Sequence, residues 1–125
     1  MEDEKMARTI FDRYGGFSKI SKIVISLYDK VTESPITGKY FANTNMKRLI
    51  DHQTQFVASL MGGPVSFTDE HLERVHNHLA INEEAFFEIV DLLRETLEDF
   101  DFDDPDIDAV EQSFLSRKNH IVKKA

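Results

Sequence analysis

Apolar residues fall at three- and four-residue spacing along most of this chain, the repeat that gives a helix one apolar face. In residues 17–31 that stripe is Ile20, Ile23, Val24, Leu27 and Val31, with Tyr28 among them. Residues 44–61 repeat it through Met46, Leu49, Ile50, Gln53, Phe56, Val57 and Leu60, so an amide stands in an otherwise apolar row. After Asn82, a residue suited to capping a helix, the stripe is Phe86, Ile89, Val90, Leu93 and Leu97. Asp103-Asp104-Pro105 opens a last helix, since proline suits the first helical position, and Ile107, Val110, Phe114 and Ile121 form its inner face. A shorter stripe surrounds His76, between Leu72 and Leu79, with Thr68 as its cap and Asp69 and Glu70 in its first turn.

The breaks between stripes have their own chemistry. Gly15-Gly16 permits a tight reversal, Ser34-Pro35 pushes the chain out of the helical region, and Gly62-Gly63-Pro64 stops the second stripe. Tyr40-Phe41-Ala42-Asn43 reads as a corner, and the acidic residues 98–104 read as a loop. No segment alternates like a strand, and no repeat or internal boundary is visible. The expected architecture is all-α, with residues 1–9 as an N-terminal extension and residues 10–125 as one domain.

Composition narrows the chemistry. A chain of 125 residues, 41% hydrophobic and 30% charged, fits one globular domain with a single core. Its net charge of −8 repels phosphate, so nucleic acid is not an expected partner. The basic tail Arg117-Lys118…Lys123-Lys124 is short and suits the negative end of the last helix. Cysteine is absent, which excludes disulfides, thiolate chemistry and zinc sites built on Cys. No apolar run reaches the roughly 18–20 residues of a membrane span. The acidic start Met1-Glu2-Asp3-Glu4 is unlike a secretion leader, so a cytoplasmic location and no membrane insertion are expected.

A few polar side chains sit where apolar ones would be ordinary. His76 leans inward from its stripe, and a neutral imidazole in an apolar crevice is a metal ligand in waiting. Taken singly, it also reads as a core histidine with a satisfied ring, and His78 is the alternative ligand. Tyr28 alone reads as a core tyrosine bonded to a carbonyl. Gln53 needs a partner, because burying an unsatisfied amide costs roughly 1–3 kcal/mol. His52, on the flank of the same stripe, suits either the mouth of a pocket or its interior.

The order of these features resembles the truncated haemoglobins, most closely their first subgroup. The resemblance rests on Tyr14-Gly15-Gly16, Leu27-Tyr28, Pro35, Phe41, Thr44-Asn45-Met46, His52-Gln53, Phe56, Gly62-Gly63-Pro64, Val75-His76 and Phe86, and spans residues 10–121. It implies a shortened globin, a two-over-two helical sandwich around a haem b (iron protoporphyrin IX). Without cysteine, thioether links to the haem are excluded. The position matching a covalent histidine link in some relatives is Arg117, with His120 too late, so the haem is expected to be non-covalent.

By the same resemblance His76 is the proximal iron ligand, and Tyr28 and Gln53 face a ligand bound on the opposite side. Phe41 stacks on the porphyrin, and Met46, Leu49, Phe56, Leu72, Phe86 and Ile89 line the pocket. Arg48 either pairs with a propionate or is an ordinary exposed helix arginine, His52 coordinates the iron or guards the pocket mouth, and the contact a tyrosine often makes with a propionate is missing at Phe67. A phenol O–H and an amide N–H both donate to the partial negative charge of bound O2, each such bond being worth on the order of 1.5–3 kcal/mol.

The implied activity is binding of O2, NO and CO, with nitric oxide dioxygenation supported by an external reductase as the reaction. A carrier, store or sensor of O2 and a haem-free helical interaction module are the competing readings. A monomer or weak homodimer is expected.

Overall fold

The computed structural model describes residues 8–65 and 81–122, and every regular element among them is helical. His76, Leu72, His78, Phe67 and the Thr68 cap lie outside the described residues.

Helix α1 (Ile10–Arg13) is a single turn whose N-cap Thr9 accepts a hydrogen bond from Asp12 N–H at 3.1 Å. No stripe predicts it, because four residues are too few to show a period. Gly15 and Gly16, with φ of 99° and 69°, then reverse the chain through a region that side-chain-bearing residues avoid. Helix α2 (Gly16–Glu33) follows, longer at both ends than its stripe, and stops at Ser34, the residue before Pro35. Ile20, Ile23, Val24 and Val31 are fully buried along its inner face, each such burial being worth roughly 1.5–3 kcal/mol.

The expected corner is a 3₁₀ turn, Gly38–Phe41. Helix α3 (Met46–Leu60) begins at the first apolar residue of its stripe, where the Asn45 side chain accepts from Arg48 N–H at 3.1 Å, within the expected span 44–61. Helix α4 (Glu83–Asp99) is capped by Asn82, which accepts from Ala85 N–H at 2.8 Å. Glu83 and Glu84 in its first turn oppose the positive end of its dipole.

Two expectations need correction. Residues 98–104 are not all loop: Glu98 and Asp99 complete α4, because the stripe still buries Thr96 and Leu97 there. The chain turns only at Asp101, whose φ is 63°. The last inner face is also divided, between α5 (Asp104–Leu115) and the short α6 (Lys118–Ile121). At the break, Ser116 Oγ bonds to the Ser113 carbonyl at 2.6 Å and Arg117 N–H bonds to the Phe114 carbonyl at 2.9 Å. Ile107, Val110, Phe114 and Ile121 are buried all the same.

Helices α2 and α3 pack on each other, as do α4 and α5, and contacts of α2 with α4 and of α3 with α5 join the two pairs. Polar ties reinforce the apolar contacts. Lys30 Nζ of α2 reaches Asp99 at 2.6 Å and Thr96 Oγ1 at 3.1 Å on α4. Arg94 of α4 bonds Asp108 and Glu111 of α5, both at 2.8 Å. No helix among the described residues is long and apolar enough to cross a membrane.

Candidate functional site

Where the helix pairs meet, side chains from almost every element line one cavity. Helix α2 contributes Tyr28, the 3₁₀ turn Phe41, and α3 both Gln53 and Phe56. Phe86 and Ile89 come from α4, Phe114 from α5 and Ile121 from α6, while Ile81 precedes α4. Tyr28 and Gln53 face inward because their helices place them on the buried stripe, at 6% and 4% exposure.

Aromatic edges build the walls. The Phe41 ring meets the Tyr28 ring edge-on, with centroids 5.5 Å apart and planes at 85°. Phe114 lies edge-on to both Phe56 and Phe86, at 5.9 and 5.0 Å. Such pairs add about 0.5–1.5 kcal/mol to simple burial and hold rings in fixed orientations.

Tyr28 and Gln53 are the polar members of this described lining, and neither side chain has a hydrogen-bond partner among the described residues. Burial pushes the Tyr28 phenol above its ordinary range, since a phenolate would lose its hydration. The group therefore stays protonated, with an O–H available to donate. An unpartnered phenol and amide in an apolar chamber are costly unless something inside accepts from them.

That donor set suits a haem pocket. Apolar rings and aliphatic chains fit the flat faces of a porphyrin, and two uncharged donors fit a small polarised ligand beside it. No group of three or more His, Cys, Asp or Glu that could hold a metal ion occurs among the described residues.

Of the residues singled out from the sequence, the cavity brings together Tyr28, Phe41, Gln53, Phe56, Phe86 and Ile89. Met46, Arg48, Leu49 and His52 are not among its described lining. Leu49 is buried in the core, Met46 packs against that core half-buried, and the Arg48 side chain is exposed. His52 is half-buried on α3, its Nε2 shielded from solvent.

Ile81 was not singled out from the sequence, although a signal for it exists. It lies just before the Asn82 cap, with Phe86 four residues into the helix, the arrangement of a hydrophobic staple. Phe114 and Ile121 were identifiable as inward-facing, but periodicity alone does not distinguish a cavity wall from solid core.

A family model described as bacterial-like globin matches residues 9–123. The group 1 truncated hemoglobin of Tetrahymena thermophila is 28% identical over 96 residues, which cover 77% of this chain and 79% of that protein. The crystal structure of the Fe(III) truncated hemoglobin from Tetrahymena pyriformis is similar, with a TM-score of 0.83 and 24% identity, covering 94% of this chain and 100% of that one. The 2/2 hemoglobin of Synechococcus sp. PCC 7002, solved in the cyanomet state with covalently attached heme, gives a TM-score of 0.84 at 22% identity, with the same coverage. The all-α architecture is thus the two-over-two helical sandwich expected from the sequence.

Proposed function

The chain belongs to the bacterial-like globins, as a group 1 truncated haemoglobin, and from that premise we propose that it uses Tyr28 and Gln53 to hold O2 for reaction with nitric oxide. Membership in this family implies haem and the binding of diatomic gases. The reading adds that the haem is b-type and non-covalent, that His76 is its axial ligand, and that a separate reductase restores it.

When bound, the haem supplies the iron that takes the diatomic ligand and the electron that the reaction consumes. The overall change joins O2, NO and one electron into nitrate, so it needs no proton. The cavity is suited to that balance, since its described lining carries two neutral donors and no ionised side chain. Tyr28 O–H and Gln53 N–H orient the ligand and stabilise the negative charge it gathers. Phe56, Phe86 and Ile89 keep water away from it, which strengthens both hydrogen bonds.

The observation that carries this reading is the pairing of two hydrogen-bond donors, without partners among the described residues, across one apolar cavity. Nitrate production from NO by the oxygenated, haem-loaded protein tests it. Tyr28→Phe and Gln53→Leu should each slow NO consumption, and unaltered kinetics in both variants would remove the proposed role.

His52 enters as a competitor for the same iron. It adjoins Gln53 on α3 with its Nε2 turned from solvent, a position consistent with coordination when no external ligand is bound. In that state O2 binding is reduced by the fraction of molecules in which the site is closed.

A further inference from the structure

Pro35 creates a local problem at the end of α2. A proline has no N–H, so the Val31 carbonyl, four residues earlier, loses its normal helical partner. The Thr37 hydroxyl takes that place, donating to the Val31 carbonyl at 2.7 Å from a fully buried position. The next residue, Gly38, donates its N–H to the Ser34 carbonyl at 2.8 Å. Its backbone lies so close to α2 that a Cβ there would stand 2.5 Å from the Thr32 carbonyl oxygen. Thr32 in turn donates its hydroxyl to the Tyr28 carbonyl at 2.8 Å. The last turn of α2, which begins near Tyr28, and the corner that carries Phe41 are thus fastened into one unit.

The consequence falls on Tyr28. Its hydroxyl has no hydrogen-bond partner among the described residues, where ring packing is what places the phenol oxygen. The edge-on contact with Phe41 supplies that packing from the corner. We propose that Thr37 and Gly38 are positioning residues for Tyr28: by locking the corner to α2 they hold Phe41 against the tyrosine ring and set where its hydroxyl oxygen sits. This inference rests on the reading of Tyr28 as the donor to a bound ligand.

The C–O stretching frequency of the carbonmonoxy, haem-loaded protein tests it, because a hydrogen bond to the bound CO lowers that frequency. Thr37→Val removes the hydroxyl at nearly constant shape. It should move the band upward, towards that of Tyr28→Phe, and speed O2 release by roughly three- to tenfold, a fraction of one charge-assisted hydrogen bond. Thr37→Ser keeps the hydroxyl and should restore the parental band. Gly38→Ala, which pushes the corner off α2, should shift the band in the same direction and decides the matter if Thr37→Val does not load haem. Neither change should shift the band further in a Tyr28→Phe background.

The proposal is overturned if Tyr28→Phe shifts the band while Thr37→Val and Gly38→Ala leave it in place, whatever their effect on melting temperature. It is equally overturned if either variant shifts the band as far without Tyr28 as with it. A silent Tyr28→Phe variant would instead remove the donor role itself, and this inference with it.

Discussion

The Tyr14 hydroxyl donates to Asp106 Oδ2 at 2.6 Å and accepts from Asp103 N–H at 3.0 Å, so one phenol ties the Gly15-Gly16 reversal to the first turn of α5. Arg13 grips the same carboxylate through both terminal guanidinium nitrogens, at 2.6 and 2.9 Å, and the Tyr14 ring stacks on Phe102. The hydrogen bonds from Arg13, and then that from Tyr14, hold the Asp106 carboxyl below its ordinary value of 3.8. A carboxylate with a depressed folded pKa stabilises the fold at pH above 3.8. That contribution is lost as pH falls through the lower, folded value.

Asp106→Asn removes the charge, and it should therefore be less stable than the parent at neutral pH by about 1–2 kcal/mol, allowing for solvent screening at the half-exposed Arg13. The gap should shrink progressively in acid, below the ordinary carboxylate range. Denaturant unfolding of both proteins across that range measures it. A gap that stays constant with pH would show that the carboxylate charge is irrelevant to the tie.

Much of this architecture is legible in the sequence because it is written at helical spacing. The stripes of α2 to α5 mark their buried faces, and Gly15-Gly16, Asn82 and Pro105 mark where elements begin. Helix α1 is illegible for a physical reason: its support comes from the Thr9 cap and from the packing of Phe11 against Gly63, where a Cβ would lie 2.8 Å from the ring. Neither contact has a period.

The site is legible in a different way. Periodicity shows that Tyr28 and Gln53 point inward, yet it says nothing of their facing a shared cavity, which depends on how α2 docks against α3. That expectation came from the ordered resemblance to the truncated haemoglobins. Phe41 has no periodic signal of its own, since it sits on a short turn and its orientation follows from fastenings at Thr37 and Gly38.

Tyr28→Phe keeps the ring against Phe41 and removes only the O–H, which makes it the cleaner of the two donor substitutions. Loss of a charge-assisted bond worth about 1.5–3 kcal/mol should accelerate O2 release by roughly ten- to hundredfold. Gln53→Leu should act in the same direction. Stopped-flow displacement of O2 by CO gives the rates, and the double variant should fall short of the product of the single effects if both donors act on one ligand atom.

His52 is testable by colour alone. If its ring binds the iron in the ligand-free ferrous state, the visible spectrum shows sharp, split bands, and His52→Ala converts them to one broad band. O2 should then bind faster in the variant, because no internal ligand has to leave first. Split bands that survive the substitution would assign the sixth ligand to another side chain.

The axial role proposed for His76 is the remaining link to test between this chain and its haem. His76→Ala should lower the haem content of purified protein and flatten its Soret band, while the far-ultraviolet dichroism stays largely helical. The apoprotein should melt at lower temperature than the loaded parent, since a ligand that binds only the folded state stabilises it in proportion to the logarithm of its concentration over Kd. Adding imidazole to the variant should recover part of the band by filling the space left by the side chain. Full haem content in His76→Ala together with His78→Ala would exclude both histidines as the proximal ligand.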